Sequence, residues 1–348
     1  MALEIVDIEP QSESDELLNL FLDFRDKLSS EYFPKDPITA RQIQINSLKN
    51  EIPGVLYIRK ALLDKNSNEI IARITVKMFS KEHHEYEQNK HIAELDVNVL
   101  NKYREGDLAK DLFIKAIEII NNFPNVTIVE GCCIWEQEWE VWKSFGARET
   151  YSADVNRVYL EEIDWKMIEN WKNEGRKKAE LNGVYLQSFE NCPEEIIEEY
   201  SSLYTELLNL VPWGDLEWKP PDETPEYRRV KEERQTKLGK KWYTLISREN
   251  DGRISGLTEI FHNPNDNYWI HQLLTGVKPD FRGRGLGKWL KAEMLLFIKE
   301  ELPEVILLHT GNAEVNAPML SINKRIGFKK YLTDKCFTIE IEKLKTFL

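Results

Sequence analysis

Leu17, Leu18, Phe21, Phe24 and Leu28 recur at steps of three and four, which predicts a helix near the start of the chain. Residues 55–63 and 70–79 read as two strands joined by a polar turn at 64–68. A further strand at 91–100 leads into an amphipathic helix carrying Leu108, Leu112, Ile117 and Ile120; a short β run at 126–129 and a Trp-rich helix ending at Gly146 follow. The pattern then repeats. Val184, Leu186 and Ser188 share one face of a strand, Pro193 sits where a first-turn proline is tolerated, and Ile196, Tyr200, Leu203, Tyr204 and Leu207 mark a helix. Residues 242–247 and 253–261 form a hairpin around Asn250-Asp251-Gly252, since Asp-Gly suits a tight turn. A polar loop at 263–267, a strand at 268–277, a helix opening near Gly285 and a β run at 305–310 complete the second half. Between the halves, residues 161–182 are rich in Lys and Glu, as expected of a helical connector.

A chain of 348 residues accommodates two domains of ordinary size. The expected class is α+β: a domain at 1–160, a connector at 161–182 and a second domain at 183–348, each a mixed, mostly antiparallel sheet flanked by helices. A net charge of −13 disfavours nucleic acid as a partner. The first residues lack a basic stretch followed by an apolar run, and no apolar stretch has membrane-spanning length, so neither a signal peptide nor a membrane segment is expected. Cys132, Cys133, Cys192 and Cys336 form no CxxC and no metal-ligand spacing; they read as reduced, small hydrophobes in a cytoplasmic protein without a metal.

The most informative stretch is Val277-Lys278-Pro279-Asp280-Phe281-Arg282-Gly283-Arg284-Gly285-Leu286-Gly287, which follows an apolar strand and opens a helix. A helix start offers unpaired N–H groups and the positive end of the dipole, and glycines let a pyrophosphate approach the backbone. A dinucleotide fingerprint belongs to a first βα unit, and a P-loop ends in Lys-Ser/Thr; neither describes this turn, which lies deep in the chain. The spacing of Arg282, Gly283, Gly285 and Gly287 resembles the acyl-CoA motif of the GNAT acetyltransferase superfamily. Residues 309–328, from His309 through Asn316 to Gly327-Phe328, resemble its second signature. Order and spacing are similar to the tandem group that includes mycothiol synthase.

The first half reads as a worn copy. Val99 to Arg104 repeats the spacing of Val277 to Arg282, and Phe145-Gly146 repeats Ile326-Gly327, which points to internal duplication. Glu105 and Asp107 stand where Gly283 and Gly285 stand in the second half, and carboxylates at a helix start repel a pyrophosphate. This half is therefore expected not to bind CoA.

The resemblance implies acetyl-CoA as co-substrate, inserted between two splayed strands and held by Leu274, Thr275, Val277, Arg282, Gly283, Arg284, Gly285, Leu286, Gly287, Asn312 and Asn316. The acceptor it implies is a small amine, acetylated directly in a ternary complex by a monomer or homodimer. A CoA-binding relative without catalysis, or one using another acyl-CoA, is the alternative. An amine must shed a proton to attack, and either His271 or Glu259 is placed to be the base. Asn323 stands where many relatives carry a tyrosine that protonates the leaving thiolate, and asparagine supplies a hydrogen bond but no proton. Trp213, Asp215 and Trp218, in an aromatic, proline-rich loop, are the expected border of the acceptor site.

Overall fold

The apolar runs become strands and the stripes become helices near the expected places. The computed structural model describes residues 2–11, 15–104, 106–313 and 317–348. The chain divides into two compact units, Met1–Tyr151 with Gly214–Lys219 and Lys335–Leu348, and Ser152–Trp213 with Pro220–Asp334. This differs from cuts at 160 and 182, because segments of each half are spent on the other unit.

The first unit holds β1 (Leu3–Asp7), α1 (Asp15–Tyr32), α2 (Arg41–Lys49), β2 (Val55–Asp64), β3 (Glu69–Phe79), α3 (Tyr86–Asn89), β4 (Ile92–Val99), α4 (Leu108–Ile120), β5 (Ile128–Cys133) and α5 (Glu136–Ser144). β6 (Arg148–Tyr159) carries the chain onward, and its residues 152–159 open the second unit. There follow α6 (Trp165–Asn182), β7 (Tyr185–Phe189), α7 (Ile197–Asn209), α8 (Pro225–Lys237), β8 (Lys241–Arg248), β9 (Ile254–His262), β10 (Trp269–Val277), α9 (Leu286–Glu301), β11 (Leu307–Ala313), α10 (Ala317–Ile326), β12 (Lys329–Glu340) and α11 (Ile341–Lys345). Residues 335–340 of β12, with α11, return to the first unit.

Each unit is a mixed sheet of one pattern. In the first, β1, β2, β3 and β4 pair antiparallel, β4 and β5 pair parallel, and β12 lies antiparallel beside β5. In the second, β7, β8, β9 and β10 pair antiparallel, β10 and β11 pair parallel, and β6 lies antiparallel beside β11. The duplication read from spacing is thus a duplication of topology. In both, the strand that closes the sheet comes from the end of the other half. The closing strand of the first unit buries Phe337 and Ile339 among Ile117, Val129 and Trp142, with Ile341 and Leu344 behind.

The expected connector is α6, and it is part of the second unit's core. Ile168 and Trp171 pack with Met294 and Leu295, and Ala179 packs with Leu286 and Trp289. At Gly175 a Cβ would stand 2.3 Å from the Trp289 ring, so only glycine allows α6 to lie so close to α9. The cysteines need correction. Cys132 and Cys336 are opposite one another on β5 and β12 and form a disulfide, with Cα atoms 4.0 Å apart. Cys133 and Cys192 are buried thiols. No helix among the described residues is long and apolar enough to cross a membrane.

Candidate active site

The site is built where the second unit's parallel pair comes apart. β10 and β11 are in register from Trp269 opposite Leu307 to His271 opposite His309, and there the pairing ends. Beyond it β10 stays on β9, with an irregularity between Gln272 and Thr275, while β11 stays on β6. Thr310 donates its hydroxyl to the Gln272 carbonyl (3.1 Å) at the fork, and the Gln272 amide donates to the Glu259 carbonyl (2.7 Å), bracing the bulge. Bulges commonly re-aim a strand beside a site.

The fork opens into a groove of about 790 Å³. Leu274, Thr275, Val277, Arg282, Gly283, Gly285, Leu286 and Gly287, all expected to hold the cofactor, line it. Gly283 and Gly285 adopt φ of +77° and +86°, the left-handed region that glycine enters without strain. A Cβ on Gly283 would meet nothing within 4 Å, so the loop encloses open space rather than packed protein. Gly285 precedes α9 without a capping side chain, leaving the first N–H groups of the helix for an anion. Arg282 is anchored through Nε to the Val277 carbonyl (3.0 Å), and Lys288, in the first turn of α9, lines the groove while its ammonium donates to Glu174 (2.9 Å). Lys178 of α6 reaches within 3.8 Å of where a Gly285 Cβ would stand. Arg284, by contrast, is held by both carboxylate oxygens of Glu249 (2.9 and 3.0 Å) and does not line the groove. Asn312 lies on β11, and Asn316 is outside the described residues.

His271 stands at the end of the paired stretch. Its ring centroid lies 4.4 Å from that of His309, which in turn stacks on Trp269 at 5.5 Å. Burial first, then the Lys240 ammonium, lowers the His271 pKa to about 4; burial, His271, Arg157 and Lys240 lower that of His309 to about 3. His271 is exposed, so its ring is within reach of an incoming group. The imidazole is therefore neutral and reachable near pH 7, though the lowered pKa weakens it as a proton acceptor.

Glu259 is not a solvent-facing strand residue. It is fully buried, and one carboxylate oxygen accepts from the Tyr200 hydroxyl, Arg228 Nη1 (3.0 Å) and Thr244 Oγ1 (3.1 Å). Arg228, itself fully buried, also donates to Glu232 (2.8 Å) and lies 3.6 Å over the Trp242 ring. With no exposed surface, this carboxylate lies out of reach of an incoming amine.

Asn323 is buried on α10 and accepts from the Lys291 ammonium at 2.9 Å. The expected acceptor border divides between the units. Trp213 belongs to the second, where its indole donates to the Leu208 carbonyl (3.0 Å) beside the groove residues Val211 and Pro212. Asp215 and Trp218 belong to the first, where Asp215 is 3.5 Å from Arg148 and the Trp218 indole donates to Glu85 (3.3 Å). There Glu85 also joins His83 and His84 in a cluster whose ligand atoms lie within 4.8 Å of one another.

The first unit keeps a groove at the corresponding place, of about 960 Å³, lined by Val99, Arg104 and Ala109 among others. Arg104 Nε donates to the Val99 carbonyl (2.8 Å), the same bond that Arg282 makes. Here, however, the arginine is paired with Glu31 (2.9 Å) and stacked 4.0 Å over Trp135, and Asp107 precedes the helix where Gly285 does. The larger cavity is the less suited to a pyrophosphate. Glu105 is outside the described residues.

Comparison with known proteins bears on these geometries. Residues 207–328 match the Acetyltransferase (GNAT) family. No curated protein matches the chain. Among solved structures, a tandem GNAT protein from the clavulanic acid biosynthesis pathway superposes with a TM-score of 0.75 at 19% identity, over 97% of this chain and 98% of that one. A GCN5-related N-acetyltransferase from Sphaerobacter thermophilus gives 0.63 at 14%, over 97% and 96%. The glucosamine N-acetyltransferase region of a fungal multi-domain GH3 β-N-acetylglucosaminidase gives 0.60 at 12%, over 97% of this chain and 38% of that one. At such identities the likeness is one of fold.

Proposed function

Residues 207–328 form a domain of the GNAT acetyltransferase family and the whole chain has the tandem GNAT fold, and from that premise we propose that the second unit transfers the acetyl group of acetyl-CoA to the amine of a small molecule, in one step within a ternary complex. The observation that carries this reading is the parting of β10 from β11 after His271 and His309, with the freed end of β10 and an uncapped, glycine-rich helix start lining one groove.

Acetyl-CoA, when bound, supplies an activated acyl group. The remaining work falls to the chain. Arg282, Lys178 and the N–H groups opening α9 balance the phosphates. Unpaired backbone N–H groups along the parted strand face the thioester oxygen and stabilise charge developing there. An alkylammonium has no lone pair, so the amine must reach the site neutral or lose a proton there; the neutral His271 imidazole accepts it. The thiolate leaves without a tyrosine to protonate it, which chemistry permits because a thiol ionises not far above neutrality and its thiolate is a weak base. The first unit, whose arginine is paired and whose helix start carries Asp107, takes no acetyl-CoA.

The test is turnover. Thiol release from acetyl-CoA is followed with a panel of primary amines, for the wild type and His271→Gln. The proposal expects at least one amine to be acetylated and the variant to lose about 10²–10⁴-fold, as removal of a general base does. Binding of acetyl-CoA with no turnover on any amine would instead favour a non-catalytic CoA-binding protein.

A further inference from the structure

Gln272 is a polar side chain where a strand ordinarily buries an apolar one. It is 3% exposed, and its amide nitrogen donates to the Glu259 carbonyl (2.7 Å) and lies 3.2 Å from the Thr258 hydroxyl, which in turn meets the Thr275 hydroxyl at 2.8 Å. These groups surround the place where β10 loses step with β9. Gln272 stands opposite Ile260 and Thr275 opposite Thr258, so that two residues, Leu273 and Leu274, face one, Glu259. A bulge interrupts the ladder, and a buried strand carbonyl needs a donor; the Gln272 amide supplies one to Glu259. On the other side of the strand the Thr310 hydroxyl holds the Gln272 carbonyl at 3.1 Å.

The sister repeat has the same strand without the bulge. β4 pairs with β3 in unbroken register from Val99 opposite Ala72 to Glu94 opposite Lys77. The parallel pairing ends at Glu94 opposite Glu130 in the first unit, as it does at His271 opposite His309 in the second. From that end to the valine whose carbonyl anchors the arginine is five residues in β4 and six in β10, and the extra one is the bulge. The residue just past the end of the pairing is Leu95 in the first unit, 1% exposed in its apolar core, and Gln272 in the second. Packing at this position is thus satisfied by leucine. The amide stands in the repeat that keeps the glycine loop, and the bulge it braces leads into Leu274, Thr275 and Val277, which line the groove.

Resting on the acyl-transfer reading, we propose that Gln272 is a positioning residue for the donor's carbonyl: it holds the bulge, and the bulge sets which peptide N–H groups of β10 face the thioester oxygen. Successive peptide groups of a strand face opposite neighbours, so one extra residue moves each later N–H to the other side. A regular β10, like β4, would present the alternate set to the groove. Thr310 braces the same turn from β11. A primary amide suits this post because its nitrogen carries two hydrogens, enough for both Glu259 and Thr258, whereas leucine in the same place donates nothing. Donors to a developing oxyanion are effective because they are fixed beforehand, and a bulge free to slip would lose that advantage.

The test reads the carbonyl itself and needs no acceptor. Acetyl-CoA carrying an isotopic label at the thioester carbonyl carbon is bound to the intact protein, and isotope-edited infrared difference spectra give the carbonyl stretch, for the wild type and for Gln272→Met, whose side chain is of similar length and volume but has no donor. The proposal expects the stretch to fall in frequency on binding to the wild type, as for a carbonyl that accepts hydrogen bonds, and to stand near the value of free acetyl-CoA in Q272M. CoA, which has no acyl carbonyl, should bind both proteins within about threefold, a small step on the tenfold scale. With any amine that is turned over, kcat of Q272M should fall about 10²-fold, the effect of one lost oxyanion donor, while KM for acetyl-CoA changes little. Thr310→Val removes the brace on the Gln272 carbonyl and should move stretch and kcat the same way by less; it decides the matter if Q272M does not fold. A stretch that both variants leave as in the wild type would overturn the proposal, as would a wild type that binds acetyl-CoA with no shift. Absence of acetyl-CoA binding to the wild type would be a different failure, that of the acyl-CoA reading itself.

Discussion

Replacing Arg228 by methionine asks whether Glu259 is a structural anion or a base. The guanidinium is fully buried and lies 3.0 Å from Glu259 and 2.8 Å from Glu232. At that separation a unit pair is worth about 5 kcal/mol with an effective dielectric near 20, a large part of it offset by desolvation. Removing one partner exposes the desolvation cost of the other. Arg228→Met should therefore cost about 3–5 kcal/mol, because it strands the Glu259 carboxylate with only hydroxyl donors, Tyr200 and Thr244. Adding Glu259→Gln neutralises the stranded charge, and the double variant should regain about 2 kcal/mol or more. Urea unfolding followed by tryptophan fluorescence reads this directly, since Trp242 lies against Arg228. If R228M unfolds within about 1 kcal/mol of the wild type, the magnitude of an exposed pair, the reasoning is wrong and Glu259 becomes available as the base.

Three further outcomes follow from the geometry. Reducing the Cys132–Cys336 disulfide frees a loop of 204 residues and should lower stability by about 2–5 kcal/mol, read as a drop in melting midpoint with reductant that Cys132→Ser abolishes. Truncation after Asp334 removes the strand that buries Phe337 and Ile339 and should leave the first unit unable to fold cooperatively; retention of its near-ultraviolet circular dichroism would refute the strand exchange. His271 and His309 titrate below the ordinary histidine value of about 6.5, so between that value and about 4 the unfolded chain binds more protons than the folded one. Stability should thus be full above pH 6.5 and fall as pH drops through this window, and His309→Asn should flatten the fall.

The glycine loop was legible because its chemistry is local: left-handed backbone, an uncapped helix start and flanking arginines all fall within one short stretch. Sequence alone did not separate the arginines, because Glu249, which occupies Arg284, sits in the turn between β8 and β9, 35 residues away in the chain. The duplication was legible as spacing, yet the exchange of closing strands was not, since a strand's pattern records which face is buried and not which sheet it joins. The same limit hid the disulfide and sent Asp215 and Trp218 to the wrong unit. α8 shows a third limit. Its sequence is polar all round, which reads as a solvated helix, but Arg228 and Glu232 are buried because they satisfy one another. Gln272 was missed for a related reason: a glutamine in a strand is ordinarily a surface residue.

The central claim is that one groove, that of the second unit, holds the acyl donor. Calorimetric titration of acetyl-CoA into the wild type and into Gly285→Asp tests it most directly, because the substitution writes the first unit's Asp107 into the second. Non-glycine backbone at φ +86° costs about 1–2 kcal/mol, and a carboxylate some 5 Å from a phosphate about 3 more, so the expected loss is a hundredfold or greater. The account predicts one site on the wild type and none measurable on the variant. Two sites on the wild type, or one that survives Gly285→Asp unchanged, would contradict it.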